Sequence, residues 1–445
     1  MPEPLNILAD FPPVPTEAWE AAIKADLKGA DYDKKLVWRT EEGLAIRPYY
    51  RKEALPTDAG AIATADWAIA QAAEPAPDAI RADIFHEAGA HAIQELGYSI
   101  AAAADMLAAN TGSIEFVFAV GPTFFLEIAK LRAARKLFAQ LARAFGSTAT
   151  MRVHVCTPQR NKSIYDRYSN LLRVTTEALS AVLGGCDSLD VVPFGFDPHL
   201  ALNLQRILKE EVHLNAVADP AAGCYYIEAL TDSLACQAWR LFQEVEAEGG
   251  YAKAQANGSI ERAIEQSRTA RAKSYSSRKR ALVGVNNYPD VTEKTPHPDV
   301  PAYPKATRIA EPFEQIRHRT AVHATATGHC PKVLLLKRGD VKMKGARANF
   351  CFNFFGCGGF DIEDSEEYLT TDADLIILCS SDAEYLPFAR EVCACVDVPV
   401  LVAGNPVNEL EALRAAGVRG FVHIQSDAIH TLSEWQNELG MGGHQ

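Results

Sequence analysis

The stretch IEFVFAVGPTFFLEIAKLRAARKLFAQLARAFGSTATMRVHVC, residues 114–156, decides the fold class of this chain. It opens with a mostly apolar run, 114–120, and closes with a second one, 151–156. Between these runs, residues 122–145 have the length and the apolar spacing of an amphipathic helix. Two strands that are connected through such a helix pair in parallel. The sequence therefore predicts an α/β fold with a parallel sheet.

The same alternation of strands and helices extends on both sides of this unit. We expect one α/β unit over residues 56–270, preceded by an N-terminal arm, 1–55, that is too short to bury a core of its own. The other predicted elements of the unit are strands at 66–71, 80–85 and 188–194, and helices at 89–109, 165–184 and 225–249.

A second α/β unit is predicted at the C-terminal end. Residues 271–331 have spaced prolines and histidines, which indicate a linker that packs over a surface. From residue 332 to residue 445, short strands that begin with KVLLLK alternate with helices. This order predicts a flavodoxin-like, doubly wound sheet, in which ligands bind at the carboxyl ends of the strands.

Composition excludes several classes of function. The chain has 44 Lys and Arg against 57 Asp and Glu, a net charge of -13, which argues against a nucleic-acid or anionic-membrane partner. No apolar run approaches the ~20 residues of a membrane span. The 10 cysteines include no CxxC pair and no His/Cys cluster at zinc spacing. We expect a cytoplasmic protein with free thiols and no metal site.

Several long motifs resemble a known family. They resemble the acyl-CoA mutase barrel of methylmalonyl-CoA mutases, whose N-terminal arm is similar to TEEGLAIRPYYR (40–51) and whose cobalamin-binding domain is similar to the C-terminal unit. The resemblance implies a (β/α) barrel for an acyl-CoA and a second domain for adenosylcobalamin, which together isomerise the substrate by radical chemistry. The barrel motifs are HEAGAHAIQELGYSIAAAADML (86–107), GPTFFLEIAKLRAARKLFAQ (121–140), YDRYSNLLRVTTEALSAVLGGCDSL (165–189) and VADPAAGCYYIEALTDSLACQAWRLFQEVEAEGG (217–250).

The cobalamin loop of the family is degenerate in this chain. Family members that bind the cofactor carry Asp-x-His-x-x-Gly after the first strand, where the histidine binds cobalt and the aspartate orients it. Here the matching residues are Asp340, Lys342 and Gly345. A lysine binds a metal only as the neutral amine, and holding a lysine neutral costs about 4–5 kcal/mol. We therefore expect no cofactor-binding residue in this loop.

The catalytic groups that the resemblance implies are also replaced. Catalytic subunits carry Tyr-His on the fifth barrel strand, where this chain has Asp83 and Ile84. On the seventh strand, His-Cys-Gln of the family corresponds to a segment that keeps His154 but has Cys156 in place of glutamine. An isoleucine side chain donates no hydrogen bond. We expect these four positions to be degenerate remnants and the chain to have no catalytic residue.

Two further observations concern the same barrel. An Arg-x-Ser pair of the family corresponds to Ser113 and Glu115, so that an anion-binding cation is lost and a carboxylate is gained. His86-Glu87 and His154 can still act as general bases individually. The interpretation that we favour is that these are polar residues retained from the scaffold.

The barrel is also too short. The strand 66–71 resembles the first barrel strand and the strand 80–85 the fifth, with only about a dozen residues between them, whereas one βα repeat takes about 30 residues. Three repeats are therefore missing. Because five strands cannot close a parallel eight-stranded barrel, we expect a partial TIM-type barrel that lacks about three strands and has exposed edges.

These departures predict a supporting role. The family includes heterodimers in which a small, non-catalytic subunit of the same fold packs against a large catalytic one, and this chain resembles the small subunit. We expect a pseudoenzyme whose partner is a catalytic subunit carrying adenosylcobalamin, or a second copy of the chain. Two alternatives stay open. The chain is an active mutase that binds cobalamin without a lower histidine ligand, or it is a stand-alone acyl-CoA-binding module.

Overall fold

The computed structural model describes residues 11, 13–56, 65–72, 74–109, 112–296, 308–369 and 371–442. These residues form an antiparallel hairpin and two parallel five-stranded sheets, which confirms the α/β fold class. Within these ranges, no helix combines the length and the apolar character that crossing a membrane requires. None of the 10 cysteines is joined to another in a disulfide.

The N-terminal arm contains two helices and a hairpin. Helix α1 (Thr16–Asp26) is followed by a short α2 (Tyr32–Leu36), and β1 (Trp38–Arg39) pairs in antiparallel register with β2 (Ala45–Ile46). The arm is fixed to the rest of the chain by Glu41, whose carboxylate lies 2.7 Å from Nε of Arg271 and 2.8 Å from Nη1 of Arg280.

The first parallel sheet has the strand order β3-β7-β6-β5-β4. This is the order in which the first, eighth, seventh, sixth and fifth strands of a (β/α) barrel follow one another, so the partial barrel is confirmed. Strands β3 and β4 each pair on one side only in the described part of the chain. The strands are β3 (Ala68–Ala70), β4 (Ile80–Arg81), β5 (Ser113–Ala119), β6 (Thr150–Cys156) and β7 (Ser188–Asp190).

Helices cover one face of this sheet. Phe116 and Phe118 of β5 and Val153 of β6 are buried in the core that the sheet shares with these helices. Because neighbouring residues of a strand point to opposite faces, Glu115 and His154 project to the other, concave face. The helices are α3 (Ala82–Ala88), α4 (Ala92–Ala108), α5 (Phe124–Ala144), α6 (Arg167–Leu183), α7 (Pro198–Arg206), α8 (Tyr225–Ala247), α9 (Tyr251–Ala256) and α10 (Ser259–Ser276).

The prediction of a strand over residues 80–85 is largely wrong. Only β4 is extended, and helix α3 begins directly after it at Ala82. The strand lies at the edge of the sheet, where its backbone pairs with β5 alone, whereas a helix satisfies its own N–H and C=O groups. Gly89 ends the helix with φ 109°, a left-handed conformation that glycine adopts without strain.

The chain covers part of the open side of the sheet itself, although the sequence predicted exposed edges. The connection from β3 to β4 reaches the concave face, where the backbone N–H of Ala76 donates to Oε2 of Glu115 at 3.0 Å. At the other edge, Nζ of Lys209 donates to the carbonyl oxygen of Trp67 at 2.8 Å. The N–H of Ala68, in the same peptide unit, bonds to the carbonyl oxygen of Asp187 directly before β7, so the Trp67 carbonyl points away from the sheet, and Lys209 blocks the edge.

The second sheet has the strand order β12-β11-β10-β8-β9, all parallel. The first strand in the chain lies between the second and the third, which is the flavodoxin-like order that the sequence predicted. Apolar clusters cover both faces. The strands are β8 (Lys332–Lys337), β9 (Asp361–Ser365), β10 (Leu375–Cys379), β11 (Val400–Ala403) and β12 (Gly420–Val422), and the helices α12 (Val341–Gly356), α13 (Tyr385–Cys393), α14 (Leu410–Ala415) and α15 (Ala428–Glu438).

The segment that was expected to be a linker contains a helix. Helix α11 (Glu311–Thr327) lies inside residues 271–331 and was not predicted. Its buried residues include Phe313, which packs in the core of the second sheet, and Glu314, which bonds to the backbone N–H of Ile164. The helix therefore contacts both the core of the second sheet and the loop between β6 and α6. The bounds 1–55, 56–270, 271–331 and 332–445 stay a proposal for the domain division.

Candidate functional site

The resemblance assigns two residues, Asp83 and Ile84, to the positions of the family's catalytic Tyr-His pair. In the structure, their side chains do not face a common site. Asp83 is buried and accepts two hydrogen bonds from the guanidinium of Arg81, at 2.8 and 2.6 Å. Ile84 lies on α3 and is 54% exposed. Because these residues are helical, their side chains diverge instead of lining the carboxyl end of a strand.

His154 lies on the concave face and is bound to a neighbouring strand. Its Nδ1 is 2.7 Å from Oγ of Ser188, the residue opposite it in the register of β6 and β7. Burial lowers the pKa of His154 below its ordinary value, although Asp190 and Glu115 act in the opposite direction. The imidazole is therefore neutral at pH 7. It is also only 5% exposed, so little of it is open to a substrate.

Cys156 is not an activated nucleophile. Burial raises the pKa of its thiol far above the ordinary value, and the neighbouring Asp83 and Glu87 raise it further. Its Sγ lies 3.7 Å from the carbonyl oxygen of Phe118. A thiol becomes reactive as the thiolate, in electropositive surroundings, and the surroundings here have the opposite sign.

Glu115 and Ser113 occupy the positions of the lost Arg-x-Ser pair. The Glu115 carboxylate binds the backbone of Ala76, and the hydroxyl of Ser113 accepts a hydrogen bond from Thr150 at 3.2 Å. Both side chains therefore form hydrogen bonds within the chain. The concave face thus holds paired polar residues, and the structure brings Asp83, His154 and Cys156 to it while placing Ile84 outside.

Sequence reasoning missed a buried charged network behind the sheet. Nζ of Lys130 on α5 lies 2.7 Å from Oε2 of Glu95 and 2.6 Å from Oε2 of Glu127, and Oε1 of Glu95 lies 2.8 Å from Nδ1 of His86. The signal was present in the sequence, because Glu95 and Lys130 interrupt the apolar faces of long helices. Such residues are almost never fully buried unless they are paired.

The pKa values of this network follow from its pairing. Burial alone would raise the pKa of Glu95, but Lys130 and His86 lower it to about 2. Burial would lower the pKa of Lys130, but Glu127 and Glu95 raise it to about 12. Glu95 and Lys130 are therefore charged at pH 7. Of the predicted pair His86-Glu87, only His86 belongs to the network, because Glu87 accepts a hydrogen bond from the backbone N–H of Gln159 at 2.7 Å.

His86 borders a small cavity at the carboxyl edge of the first sheet. The cavity measures about 40 Å³, and Glu95, Glu127 and Arg160 also line it. A histidine held by a carboxylate is the geometry of a general base. The volume is close to that of a single water molecule, which is small for an organic substrate beside the ring.

The degenerate cobalamin loop of the second sheet forms the N-terminal end of helix α12. Oδ1 of Asp340 accepts a hydrogen bond from the backbone N–H of Met343 at 2.8 Å, so the aspartate is the N-cap of α12. Lys342 lies in the first turn and is exposed, and among the described residues no atom outside the local helix backbone approaches Gly345 on its Cβ side within 4 Å. The two residues that would hold and orient a cobalt ligand are thus a helix cap and a solvated ammonium.

A second carboxylate fills the space beside this loop. A Cβ atom on Gly339 would lie 2.0 Å from Oε2 of Glu384. Glu384 is held there by Ser380 and Ser381, whose hydroxyls donate to it at 2.5 and 2.7 Å and lower the pKa of its carboxyl. The donor set at this edge does not fit cobalamin bound through a protein ligand. Among the described residues, no group of three His, Cys, Asp or Glu side chains is placed to hold a metal ion.

Comparison with known proteins gives one family. The family model described as methylmalonyl-CoA mutase matches residues 50–327. A methylmalonyl-CoA mutase small subunit of Porphyromonas gingivalis is 29% identical, and the alignment covers 98% of this chain and 99% of that protein. The small subunit of Streptomyces virginiae is 33% identical over 80% of this chain, and that of Propionibacterium freudenreichii is 30% identical over 84%.

The lengths of these relatives bear on the shortened barrel. The alignment with the Porphyromonas gingivalis protein has 617 positions, and this chain has 445 residues, so at least 172 positions of the alignment face gaps in this chain. The chain matches 63% of the Streptomyces virginiae protein and 66% of the Propionibacterium freudenreichii protein. The chain thus spans less than two thirds of the latter two relatives.

Proposed function

Because the chain belongs to the methylmalonyl-CoA mutase family, we propose that it is a small-subunit-like partner that supports a catalytic mutase subunit and performs no chemistry itself. The reaction that it would support is the isomerisation of methylmalonyl-CoA to succinyl-CoA. Its partner would be the large subunit, as a heterodimer, and the adenosylcobalamin would be bound there. The name of the small-subunit relatives supports this assignment.

One observation carries the proposal. Each residue at a position of implied chemistry is engaged in holding the fold or is turned away from the concave face. Asp83 pairs with Arg81, His154 with Ser188, and Glu115 with the backbone of Ala76. An active site instead keeps such groups accessible to the reacting atoms.

The second sheet supports the same proposal. A cofactor that depends on a lower ligand needs a neutral nitrogen donor and an oriented partner for it. At this edge Asp340 caps a helix, and Lys342 is an exposed cation. We therefore propose that this chain binds no adenosylcobalamin, and we derive no step of the reaction through it.

Co-expression with the catalytic mutase subunit tests the association. The two chains are produced together, with a tag on the catalytic subunit, and the eluate is analysed by sedimentation. A stable complex in which only the catalytic chain carries the corrin absorbance supports the proposal. A corrin spectrum from this chain purified alone supports the alternative of an active mutase. Saturable binding of coenzyme A by the isolated chain, without complex formation, supports the alternative of a stand-alone module.

We also propose that the chain is cytoplasmic. Its 10 cysteines are free thiols, and several lie on the surface, including Cys224, Cys236 and Cys395. Exposed thiols persist in a reducing compartment, whereas secreted proteins of this cysteine content commonly contain disulfides. Thiol titration of the protein from gently lysed cells, with alkylation at lysis, checks this: ten alkylated cysteines are expected, and disulfide-linked peptides would contradict it.

A further inference from the structure

The first turn of α4 is capped by an imidazole. Nδ1 of His91, the residue directly before the helix, accepts a hydrogen bond from the backbone N–H of Gln94 at 3.4 Å. In return, Oε1 of Gln94 accepts a hydrogen bond from the backbone N–H of His91 at 3.1 Å. Such a reciprocal capping box needs an acceptor on the N-cap side chain. Only the neutral imidazole offers one, because both ring nitrogens of a protonated histidine are donors.

A carboxylate of the N-terminal arm lies close to this cap. Glu42, in the turn between β1 and β2, lines the same small cavity as His91, and its charge attracts a protonated imidazole. The neighbouring Glu41 is already bound to Arg271 and Arg280. Glu42, by contrast, forms no ion pair with any residue that the structure describes. It is therefore the carboxylate that a protonated His91 can bind.

The charges around His91 come from the arm, from α4 and from α10. Burial lowers the pKa of His91 below its ordinary value of 6.5, and Arg271 on α10 acts in the same direction. Glu42 and Glu41 of the arm and Glu95 of α4 act in the opposite direction. The imidazole is therefore neutral at pH 7, and the cap is formed. The other titratable residues that line the shared cavity are His86, Glu127, Arg160, Tyr275 and Arg280.

We propose that His91 is a pH-sensitive switch that exchanges its partner between α4 and the arm. At neutral pH the imidazole caps α4. In acid, a proton from solvent binds Nδ1, the hydrogen bond from Gln94 is lost, and the imidazolium pairs with Glu42. Because folding lowers the pKa of His91, the stability from the cap is present above pH 6.5 and is lost as the pH falls below it. The switch uses no position of implied catalytic chemistry, so it does not rest on the proposed function.

Hydrogen exchange tests the switch on the complete chain. The backbone amide of Gln94, resolved by mass spectrometry, is compared at about pH 7 and about pH 5 after correction for the intrinsic exchange rate. Loss of the N-cap should lower the protection of this amide by about fivefold to tenfold at the lower pH. An amide in the middle of α4, such as that of Ala101, should keep its protection. Equal protection of Gln94 at both pH values overturns the proposal.

Two variants at position 91 separate a switch from a cap that does not titrate. His91→Asn keeps a side-chain acceptor but has no group that titrates in this range, so Gln94 should stay protected at both pH values. His91→Ala has no acceptor, and the protection should be low at both. If His91→Asn loses as much protection in acid as the unmodified protein, another group causes the loss and the proposal is overturned. His91→Ser, which also offers an acceptor, gives the same test if the asparagine variant does not fold.

The partner in acid is tested at Glu42. Glu42→Gln removes the charge that favours the imidazolium, so the loss of protection should begin at a lower pH than in the unmodified protein. Glu17→Gln, at an exposed carboxylate on α1, is the matched control and should leave the pH profile unchanged. An unchanged profile in Glu42→Gln overturns the exchange of partners.

Discussion

The carboxylate of Glu314 on α11 accepts a hydrogen bond from the backbone N–H of Ile164 at 2.9 Å, across 150 residues of sequence. The same carboxylate pairs with Arg308 through two bonds, at 2.7 and 2.5 Å, and both side chains are almost completely buried. Ile164 follows the last strand residues of β6, and Phe313 beside Glu314 packs in the core of the second sheet. The contact thus joins the loop between β6 and α6 to the helix that packs on the second sheet.

Replacing Glu314 should destabilise the chain strongly. Glu314→Ala leaves the Arg308 guanidinium buried without its partner, and breaking a buried pair in this way lowers the free energy of unfolding by about 3–5 kcal/mol. Urea unfolding measures the loss. Gln315→Ala, at the exposed neighbouring position, is the control and should change stability by less than about 0.5 kcal/mol. Equal stability of the two variants would contradict a joining role for α11.

Lys209 should protect the edge of the shortened barrel. Besides its bond to the Trp67 carbonyl, its Nζ lies 2.7 Å from Asp66, and its side chain lies over the Trp67 ring. Lys209→Met removes the charged donor and lowers the free energy of unfolding by about 1.5–3 kcal/mol. Because the strand edge becomes free to pair with another chain, aggregation measured by light scattering should also rise. Lys273→Met, at an exposed lysine on α10, should aggregate no faster than the unmodified protein.

The buried network should make stability fall in acid. The pKa of Glu95 is about 2 in the folded chain against 4.5 as its ordinary value, so the unfolded chain binds more protons between these limits. Stability from Glu95 is present above pH 4.5 and is lost as the pH falls toward 2. Lys130, with its raised pKa, contributes stability that is lost only as the pH rises from 10.5 toward 12.

Glu95→Gln isolates this effect. From pH 7 to about pH 3 the unmodified protein should lose about 2 kcal/mol more unfolding free energy than the variant, because the glutamine does not titrate. Urea unfolding at both pH values measures the difference. Glu244→Gln, on the exposed face of α8, should keep the acid loss of the unmodified protein. An identical acid loss in Glu95→Gln would show that the network does not titrate as described.

Restoring a histidine should not restore the cobalamin site. Lys342→His recreates the Asp-x-His-x-x-Gly spacing, but Asp340 remains the cap of α12 and Glu384 still fills the space beside Gly339. We expect no nitrogen ligand from the protein in the paramagnetic resonance spectrum of cob(II)alamin mixed with the variant. A spectrum with coupling to a histidine nitrogen would contradict this expectation. It would show that the replacement of histidine by Lys342 is the only change that prevents this loop from binding cobalt.

Much of the fold could be predicted from local pattern. The runs around β5, α5 and β6 and those of the second sheet have the periods of buried strands and amphipathic helices, and their parallel pairing follows from the alternation. The prediction of a strand at 80–85 was wrong although apolar residues alternate in this segment as they do in a strand. The period of a segment does not report that its strand would have a neighbour on one side only, and here β4 pairs with β5 alone among the described strands.

The site was harder to predict than the fold. The degenerate positions could be named from the resemblance, but their present partners could not. Glu115 binds Ala76, and Lys209 binds Trp67, through contacts between segments that are 39 and 142 residues apart in the sequence. Helix α11 was missed because the spaced prolines and histidines of residues 271–331 indicate a linker, whereas Glu314 and Arg317 of this helix are buried. Such burial depends on distant parts of the chain.

The central claim is that this chain supports a mutase and does not catalyse the reaction. Conversion of methylmalonyl-CoA to succinyl-CoA, with adenosylcobalamin present, is measured for this chain alone, for the catalytic mutase subunit alone and for the two together. The account predicts no turnover by this chain alone and a higher or more stable turnover by the complex than by the catalytic subunit alone. Turnover by this chain alone, or a catalytic subunit that is unaffected by its addition, would contradict the account.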